Sequence, residues 1–205
     1  MFKKILLSIV SLVFTLNCFA ADTMDMSNPY VLANAVATKT VSDIKANKDK
    51  ISDKSVAMDI IERDLIPYID IKYAAYKVIG TSLKNTSAQD REKFTKAFAT
   101  YMQKNLMSVL SKYTNQDIVP AAVPAGEIKD KLVSVKLYIR EEGKKDLELI
   151  LKLRKNEKTG EWKAFDLIGE NISMLDAKIS ELSPIIKNSG IDAAIAKLQE
   201  IEQKK

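Results

Sequence analysis

The most constraining feature of the sequence is a change of hydrophobic period midway along the chain. Between Phe94 and Tyr113, apolar residues recur at helical spacing, which indicates an amphipathic helix. From Val133 onward they alternate with polar residues, which indicates strands with one covered face. Because a helical pattern does not suit a strand, nor the reverse, the chain must combine both element types, and we predict an α+β fold.

The alternating part of the chain predicts an antiparallel meander. Val133 to Ile139 and Leu147 to Leu153 alternate apolar and polar side chains, and Trp162 to Ile168 follows as a third strand after a second turn. Residues 116–119 form a further candidate strand, which Pro120 would confine to the edge of the sheet. We therefore expect a sheet of about four strands with one apolar face.

The remaining segments predict five to seven helices wrapped around the sheet. Asn28 before Pro29 is typical of a helix start, and Ser87 begins a capping motif. Near the C-terminus, Pro184 is expected to bend or break a helix, and Gly190 separates it from the last one. Helical periodicity extends over about 29–44, 53–65, 70–79, 88–113, 173–187 and 191–201.

The N-terminus has the three parts of a secretory signal peptide. Two lysines precede an apolar run from Ile5 to Leu16, and small residues suit cleavage after Ala20. The run is shorter than the roughly 20 residues that a membrane-spanning helix needs. We therefore predict a cleaved signal peptide at residues 1–20, a single mature domain at residues 21–205, and a loose polar arm from Asp22 to Ser27.

The amino-acid composition argues against an enzyme. The chain has no histidine, and its one cysteine, Cys18, lies in the predicted signal peptide, so the mature chain lacks the commonest catalytic base and the thiol nucleophile. Zinc and copper sites are disfavoured for the same reason. Asp166 and Glu170 leave a carboxylate pair open, with a structural role as the favoured interpretation. We predict no catalytic residue, no metal and no cofactor.

The charge of the chain does not indicate a nucleic-acid partner. The formal net charge is +5, and the lysines are scattered among acidic residues instead of forming a basic stripe. The apolar stripes of the helices, by contrast, exceed what one sheet face needs to be covered. This surplus is consistent with an internal apolar pocket, and ordinary core packing is the alternative.

Four segments of the sequence carry a resemblance to a known family. The most specific runs from Arg154 to Ile168 and has the pattern R-K-N-x-x-T-G-x-W-x-A-F-D-L-I. Leu65 to Tyr73, Gly190 to Asp192 and Asn28 to Tyr30 match further parts in the same order. Over residues 28–200 the chain resembles the MlaC family, also called the toluene-tolerance family of periplasmic phospholipid-transport proteins.

The resemblance implies a periplasmic carrier that shuttles phospholipid and maintains the lipid asymmetry of the outer membrane. Such carriers exchange lipid with an outer-membrane lipoprotein–porin complex and with an inner-membrane ABC transporter that has an MCE-domain ring. The phospholipid is cargo, held with its acyl chains in an apolar pocket between sheet and helices. That pocket needs a volume near the upper end of the usual range, about 1,000 Å³. A chaperone-like module for apolar polypeptide segments is the alternative.

We predict that the acyl chains contact apolar side chains of the strands and of the helices that cover them. The candidates are Tyr73, Val78, Phe94, Phe98, Tyr101, Met102, Val135, Leu137, Ile139, Leu149, Leu151, Phe165 and Met174. Asn156, Thr159 and Gly160 of the family motif are expected to form a fixed turn. Trp162 is expected to anchor the sheet against a helix.

Overall fold

A computed structural model describes residues 24–111, 113 and 115–203, and it confirms the α+β class. The predicted signal peptide lies outside these residues. The helices are α1 (Pro29–Ala46), α2 (Lys54–Asp64), α3 (Ile71–Ile79), α4 (Ala88–Leu110) and α5 (Met174–Gln203), with 3₁₀ turns at Lys48–Lys50, Ile66–Tyr68 and Gly80–Asn85. The strands are β1 (Asp117–Val119), β2 (Leu132–Arg140), β3 (Leu147–Lys155), β4 (Trp162–Gly169) and β5 (Ile172–Ser173). Within this described part, no helix has both the length and the apolar character needed to cross a membrane.

Local side-chain chemistry sets the ends of the helices. The Asn28 side chain accepts hydrogen bonds from two backbone N–H groups at the start of α1, at 2.9 and 3.2 Å. At the start of α4, Ser87 Oγ accepts one from the backbone N–H of Asp90 at 3.0 Å. The helix starts predicted from Asn28 and Ser87 are therefore confirmed. At the end of α3, Gly80 adopts a φ of +59°, which favours glycine.

The last helix is interrupted at one position. Gly190 takes φ 84° and ψ 177°, which is not helical, so α5 consists of two arms, 174–189 and 191–203. This confirms the predicted separation at Gly190. Pro184 lies within the first arm without breaking it. Next to it, Ser183 Oγ donates a hydrogen bond to the carbonyl of Val78 at 2.6 Å, which ties this arm to α3.

The five strands form one antiparallel sheet in the order β1-β2-β3-β4-β5. This is the predicted meander with one additional strand. The sequence does not indicate β5 because a strand of two residues has no visible alternation. It pairs with β4 through a tight turn at Glu170 and Asn171, whose φ angles of 51° and 64° are typical of a two-residue hairpin turn.

A β-bulge in β4 redirects two side chains. Lys152 of β3 pairs with Asp166. The next residue, Leu153, pairs with Ala164, so Phe165 is the extra residue. The bulge brings Phe165 against the packed helices and Asp166 to the first residues of α5.

The buried apolar residues form three clusters in place of one continuous core. The helical cluster packs α3, α4 and α5 around Phe94 and Leu182. The sheet cluster packs α1 on β2, β3 and β4 around Leu32 and Trp162. The α2 cluster joins α2 to the ends of α1 and α4 around Ile61. One domain usually has one main contiguous core, so the region between the three clusters is where we look for a binding site.

The N-terminal arm is docked, so the prediction of a loose arm at 22–27 is wrong for its described part. The carbonyl of Met26 accepts a hydrogen bond from the backbone N–H of Trp162 at 2.8 Å. Met24 and Met26 also pack against the sheet cluster. The arm was predicted to be loose because most of its residues are polar, but these two methionines supply apolar contacts that hold it in place.

Candidate functional site: an apolar cavity

The space between the three clusters is a cavity of about 680 Å³. It lies between the apolar face of the sheet on one side and α1 and α4 on the other, with the start of α5 at one end. Its wall includes Leu137, Ile139, Leu147, Leu149, Leu151, Leu153 and Leu167 of the sheet, Leu32, Ala33, Val36, Ala37, Thr40 and Val41 of α1, and Phe98, Tyr101, Met102, Asn105, Leu106 and Val109 of α4.

Strand register concentrates leucine on the cavity face of the sheet. Leu137 pairs with Leu149, and Ile139 pairs with Leu147. Because side chains alternate along a strand, these residues all face the cavity while Lys136 is exposed on the other face. The alternation seen in the sequence thus produces an apolar wall.

The cavity opens at one end of the strands. Because neighbouring strands are antiparallel, this end of the sheet contains the start of β1, the end of β2, the start of β3 and the end of β4. All exposed wall residues lie at this opening, which we call the mouth: Val109, Asp117, Lys144, Lys145, Leu147, Glu170 and Met174. At the opposite end, the buried residues Tyr68 and Leu153 close the cavity.

The mouth combines apolar and charged side chains. Val109 and Met174 are 57% and 41% exposed although both are apolar. Lys144 Nζ lies 2.6 Å from the carboxylate of Glu141. Lys178 lies just inside, on the first arm of α5, and its side chain is largely buried. A ligand that enters would therefore meet apolar surface and ammonium groups together.

Most of the predicted chain-contacting residues lie in the cavity wall. These are Phe98, Tyr101, Met102, Leu137, Ile139, Leu149, Leu151, Phe165 and Met174. The predicted residues outside the wall are Tyr73, Val78, Phe94 and Val135. Contact of any of these side chains with an acyl chain stays a prediction.

The residues outside the wall belong to packed regions that adjoin it. Val78 and Phe94 are fully buried in the helical cluster, and Val135 is fully buried in the sheet cluster. Tyr73 lies behind Phe165, with the two ring centroids 5.1 Å apart and the rings nearly perpendicular. The apolar stripe of α4 is longer than the cavity, so its first turns pack on α3 and α5.

The wall that α1 contributes was not among the predicted site residues. Leu32, Val36 and Thr40 follow one another at a spacing of four residues and all line the cavity. Ala33 and Ala37 lie beside them in the same wall. The available signal was this pair of small residues, which leave space where larger side chains would fill a core.

α1 is held over the cavity by polar contacts along its length. Asn34 donates a hydrogen bond to the carbonyl of Ala121 at 2.9 Å and accepts one from its N–H at 2.8 Å. Near the end of the helix, Lys45 pairs with Asp117 at the start of β1. These contacts position the helix over the cavity, and Asp117 is itself part of the mouth.

Asp64 joins α1 to α2 through a buried carboxylate. Its oxygen Oδ1 lies 2.8 Å from Arg63 Nε and 3.1 Å from Lys39 Nζ of α1. Burial works against the charged carboxylate, but hydrogen bonds from Arg63 and Lys39 outweigh it and hold the pKa of Asp64 below its ordinary value. At neutral pH the outer side of the α1 wall is therefore fixed by charged partners.

The candidate catalytic carboxylate already has structural partners. Asp166 accepts hydrogen bonds from Ser173 Oγ at 2.7 Å and from the N–H of Leu175 at 3.0 Å, which cap the start of α5. Lys152 Nζ lies 3.2 Å from the same carboxylate. This arrangement favours the structural interpretation over a catalytic pair with Glu170. Among the described residues, no group of three or more His, Cys, Asp or Glu could hold a metal ion.

The turn and the tryptophan of the family motif occupy structural positions next to the cavity. Gly160 donates a backbone hydrogen bond to the carbonyl of Asn156 at 2.7 Å and takes a φ of 77°, so the predicted fixed turn is confirmed. Trp162 is almost fully buried in the sheet cluster with Leu32 of α1, as predicted for an anchor. The motif therefore sets the closed end of the cavity.

Known proteins share both the sequence and the fold. The family model described as "MlaC protein" matches residues 34–200. A relative from Haemophilus influenzae, the intermembrane phospholipid transport system binding protein MlaC, is 34% identical over 196 residues, which cover 94% of this chain and 91% of the relative. A phospholipid-binding protein from Ralstonia solanacearum, solved in complex with a phospholipid, matches with a TM-score of 0.75 at 14% identity, over 86% of this chain and 98% of that one. The structural match shows the shared fold.

Proposed function

The chain belongs to the MlaC family, and on that basis we propose that it is a phospholipid-binding carrier that moves phospholipid between membranes. The observation that carries the proposal is the apolar cavity, which is closed at one end and open at the mouth. The name of the Haemophilus relative and the phospholipid bound to the Ralstonia protein support the same cargo.

An apolar cavity solves the main physical problem of such a carrier. Each methylene group of an acyl chain in water costs about 0.8 kcal/mol. Two sixteen-carbon chains left bare would therefore cost on the order of 25 kcal/mol. Chains lying against Leu137, Leu149 and Leu151 are removed from water, so a lipid can leave a membrane without meeting that cost.

We place the acyl chains inside the cavity and the headgroup at the mouth. The volume of about 680 Å³ is smaller than the expected upper end of the usual range, about 1,000 Å³. Part of the lipid would then project from the opening, where Lys144, Lys145 and Glu170 provide charged side chains. The closed end near Leu153 suits the ends of the chains.

The proposed place of action is the periplasm. Residues 1–20 would direct export and be removed, leaving residues 21–205 as a single lipid-binding domain. The donor and acceptor would be an outer-membrane lipoprotein–porin complex and an inner-membrane ABC transporter with an MCE-domain ring, as in the family that the sequence resembles. Exchange between them would maintain the lipid asymmetry of the outer membrane.

Native mass spectrometry of the protein, purified gently from its own cell envelope, tests the cargo. We expect a bound mass equal to a phospholipid with two acyl chains. Bound peptide would instead favour the chaperone-like alternative. Empty protein would contradict the carrier function if the Haemophilus relative, purified in parallel as a control, retains lipid.

A carrier returns its cargo unchanged. Because the carboxylate of Asp166 is engaged by Ser173, Leu175 and Lys152, we expect labelled phospholipid to be recovered intact after incubation. Release of fatty acid or headgroup that disappears in Asp166→Asn would favour a hydrolase of the cell envelope.

A further inference from the structure

Three of the hydrogen-bond donors in this largely apolar wall lie on α4 and α5, just inside the mouth. Tyr101 and Asn105 are four residues apart on α4, so they share one face of the helix, and both line the cavity. Lys178 of α5 lines the same cavity, and its Nζ lies 4.9 Å from the centroid of the Tyr101 ring. We call these three residues the polar trio.

Lys178 keeps its charge although it is largely inside the protein. Its side chain is 16% exposed and pairs with Glu181. Burial alone would lower the pKa of Lys178, but the hydrogen bond to Glu181 and the interaction with Tyr101 outweigh it and raise the pKa above its ordinary value. An ammonium group has three N–H donors, so it can also donate to a ligand in the cavity.

The position of the polar trio matches one part of a phospholipid. Met174 belongs to the mouth, and Lys178 follows it by one helical turn, so the trio lies just inside the opening. Apolar side chains such as Leu151 line the cavity beyond it. A lipid with its chains inside would bring the phosphate, the group that joins the apolar part to the headgroup, to this level.

We propose that Lys178, with Tyr101 and Asn105, binds the phosphodiester group of the carried lipid. This inference rests on the proposed carrier function, because the chains must fill the cavity for the phosphate to reach the trio. Hydrogen bonds between an ammonium and a phosphate are among the stronger ones in proteins. The site therefore selects glycerophospholipids over lipids with the same chains but no phosphate, whatever alcohol the phosphate carries.

The same helix offers a matched control for Lys178. Lys197 pairs with Glu200 at 3.0 Å with the spacing that Lys178 and Glu181 have, but it lies outside the cavity wall. Lys178→Met and Lys197→Met therefore remove the same charge from similar pairs. Displacement of a fluorescent lipid would be measured with phosphatidylglycerol and with diacylglycerol of identical chains. Diacylglycerol binding also reports whether each variant is folded.

We expect the wild-type protein and Lys197→Met to prefer phosphatidylglycerol to the same degree. In Lys178→Met this preference should fall about fivefold, with diacylglycerol binding unchanged, whereas Lys178→Arg should retain most of it. Asn105→Leu should shift the preference in the same direction by less.

Other outcomes overturn the proposal in distinct ways. An unchanged preference in Lys178→Met would show that the phosphate lies elsewhere, and an equal loss of both lipids would assign Lys178 to the shape of the cavity. Glycerol 3-phosphate in large excess should not displace the fluorescent lipid. If it does, the trio binds a free phosphate ester and not a lipid. Failure of the wild-type protein to bind either lipid would instead refute the carrier function itself.

Discussion

The helical cluster and the cavity wall are built from the same kinds of residue, yet one is filled and the other is hollow. α4 takes part in both, since Phe94 is fully buried in the helical cluster and Met102, two turns later, lines the cavity. The difference lies in the element opposite. α5 brings Leu182 into the helical cluster, whereas α1 presents Ala33 and Ala37 to the cavity.

The two regions also differ in how their helices are attached. In the helical cluster, α3, α4 and α5 hold one another through interlocking apolar side chains. Along the cavity, α1 is fixed by the two hydrogen bonds of Asn34 and by the ion pairs around Asp64, in addition to the apolar packing of Leu32 in the sheet cluster. An apolar pattern in the sequence thus records that a face is covered, but not whether protein or ligand covers it.

Truncation of one leucine in each region should give the largest difference in the free energy of unfolding. Leu182→Ala leaves a void in a closed cluster and should lower the free energy of unfolding by about 2–5 kcal/mol. Leu151→Ala should cost about 1 kcal/mol in lipid-free protein, because the lost atoms border existing space. Urea denaturation of the two delipidated variants measures the difference. Equal costs would mean that the cavity is close-packed.

Replacement of a leucine by tryptophan should lower stability in the helical cluster and lipid occupancy in the cavity. Leu182→Trp overpacks the helical cluster and should cost about 1–3 kcal/mol. Leu149→Trp should leave the unfolding of lipid-free protein nearly unchanged while lipid occupancy falls, because the indole occupies ligand space. The comparison needs delipidated samples, since bound lipid adds apparent stability by mass action. A Leu149→Trp protein that keeps its lipid but unfolds much earlier would remove Leu149 from the predicted site.

Asp166 lies where the cavity wall meets the start of α5, and Asp166→Asn should have a moderate effect. The amide weakens the charged interaction with Lys152 and the cap formed with Ser173 and Leu175. We expect a loss of about 1–2 kcal/mol in thermal or urea unfolding and no change in lipid occupancy. A large loss of lipid with unchanged stability would place the carboxylate in the ligand site.

Acidification should loosen the α1 wall slightly before it affects the helical cluster. The folded pKa of Asp64 lies below its ordinary value of 3.8, so this carboxylate stabilises the folded state above that pH and ceases to do so as the pH falls through the lower folded value. Asp64→Asn should make the free energy of unfolding less dependent on pH in this range. Urea titrations at neutral pH and below about pH 4 measure the change. Identical pH dependence in both proteins would contradict a lowered pKa of Asp64 in the folded state.

Much of the fold was predictable because it depends on local patterns. The change of period distinguishes α4 from β2 and β3, Asn28 marks the first helix start, and Gly190 marks the break in α5. The docked arm was not predictable, because Met26 is fixed by Trp162, which is distant in the sequence.

The candidate site also contains some residues that the sequence predicts and others that it does not. Leu137 and Leu149 could be predicted as wall residues because alternation and register place them on one face. Phe94 belongs to a similar apolar pattern but is packed in the core. This could not be predicted, because the sequence does not show which helices cross α4. Lys178 resembles a surface lysine, and its position in the cavity wall follows only from the packing of α5 beside α4.

The lengths of the outer strands also determine where the sheet could pair with another chain. The two shortest strands, β1 and β5, occupy the two edges of the sheet, and the long leucine-bearing strands β2 and β3 lie inside it. An edge strand offers unpaired N–H and C=O groups to another chain. β1 pairs with β2 only at residues 138–140, so within the described residues the part of β2 from Leu132 to Leu137 has no strand on its outer side. Residues 132–137 of β2 are therefore the part of the sheet at which two molecules would join edge to edge.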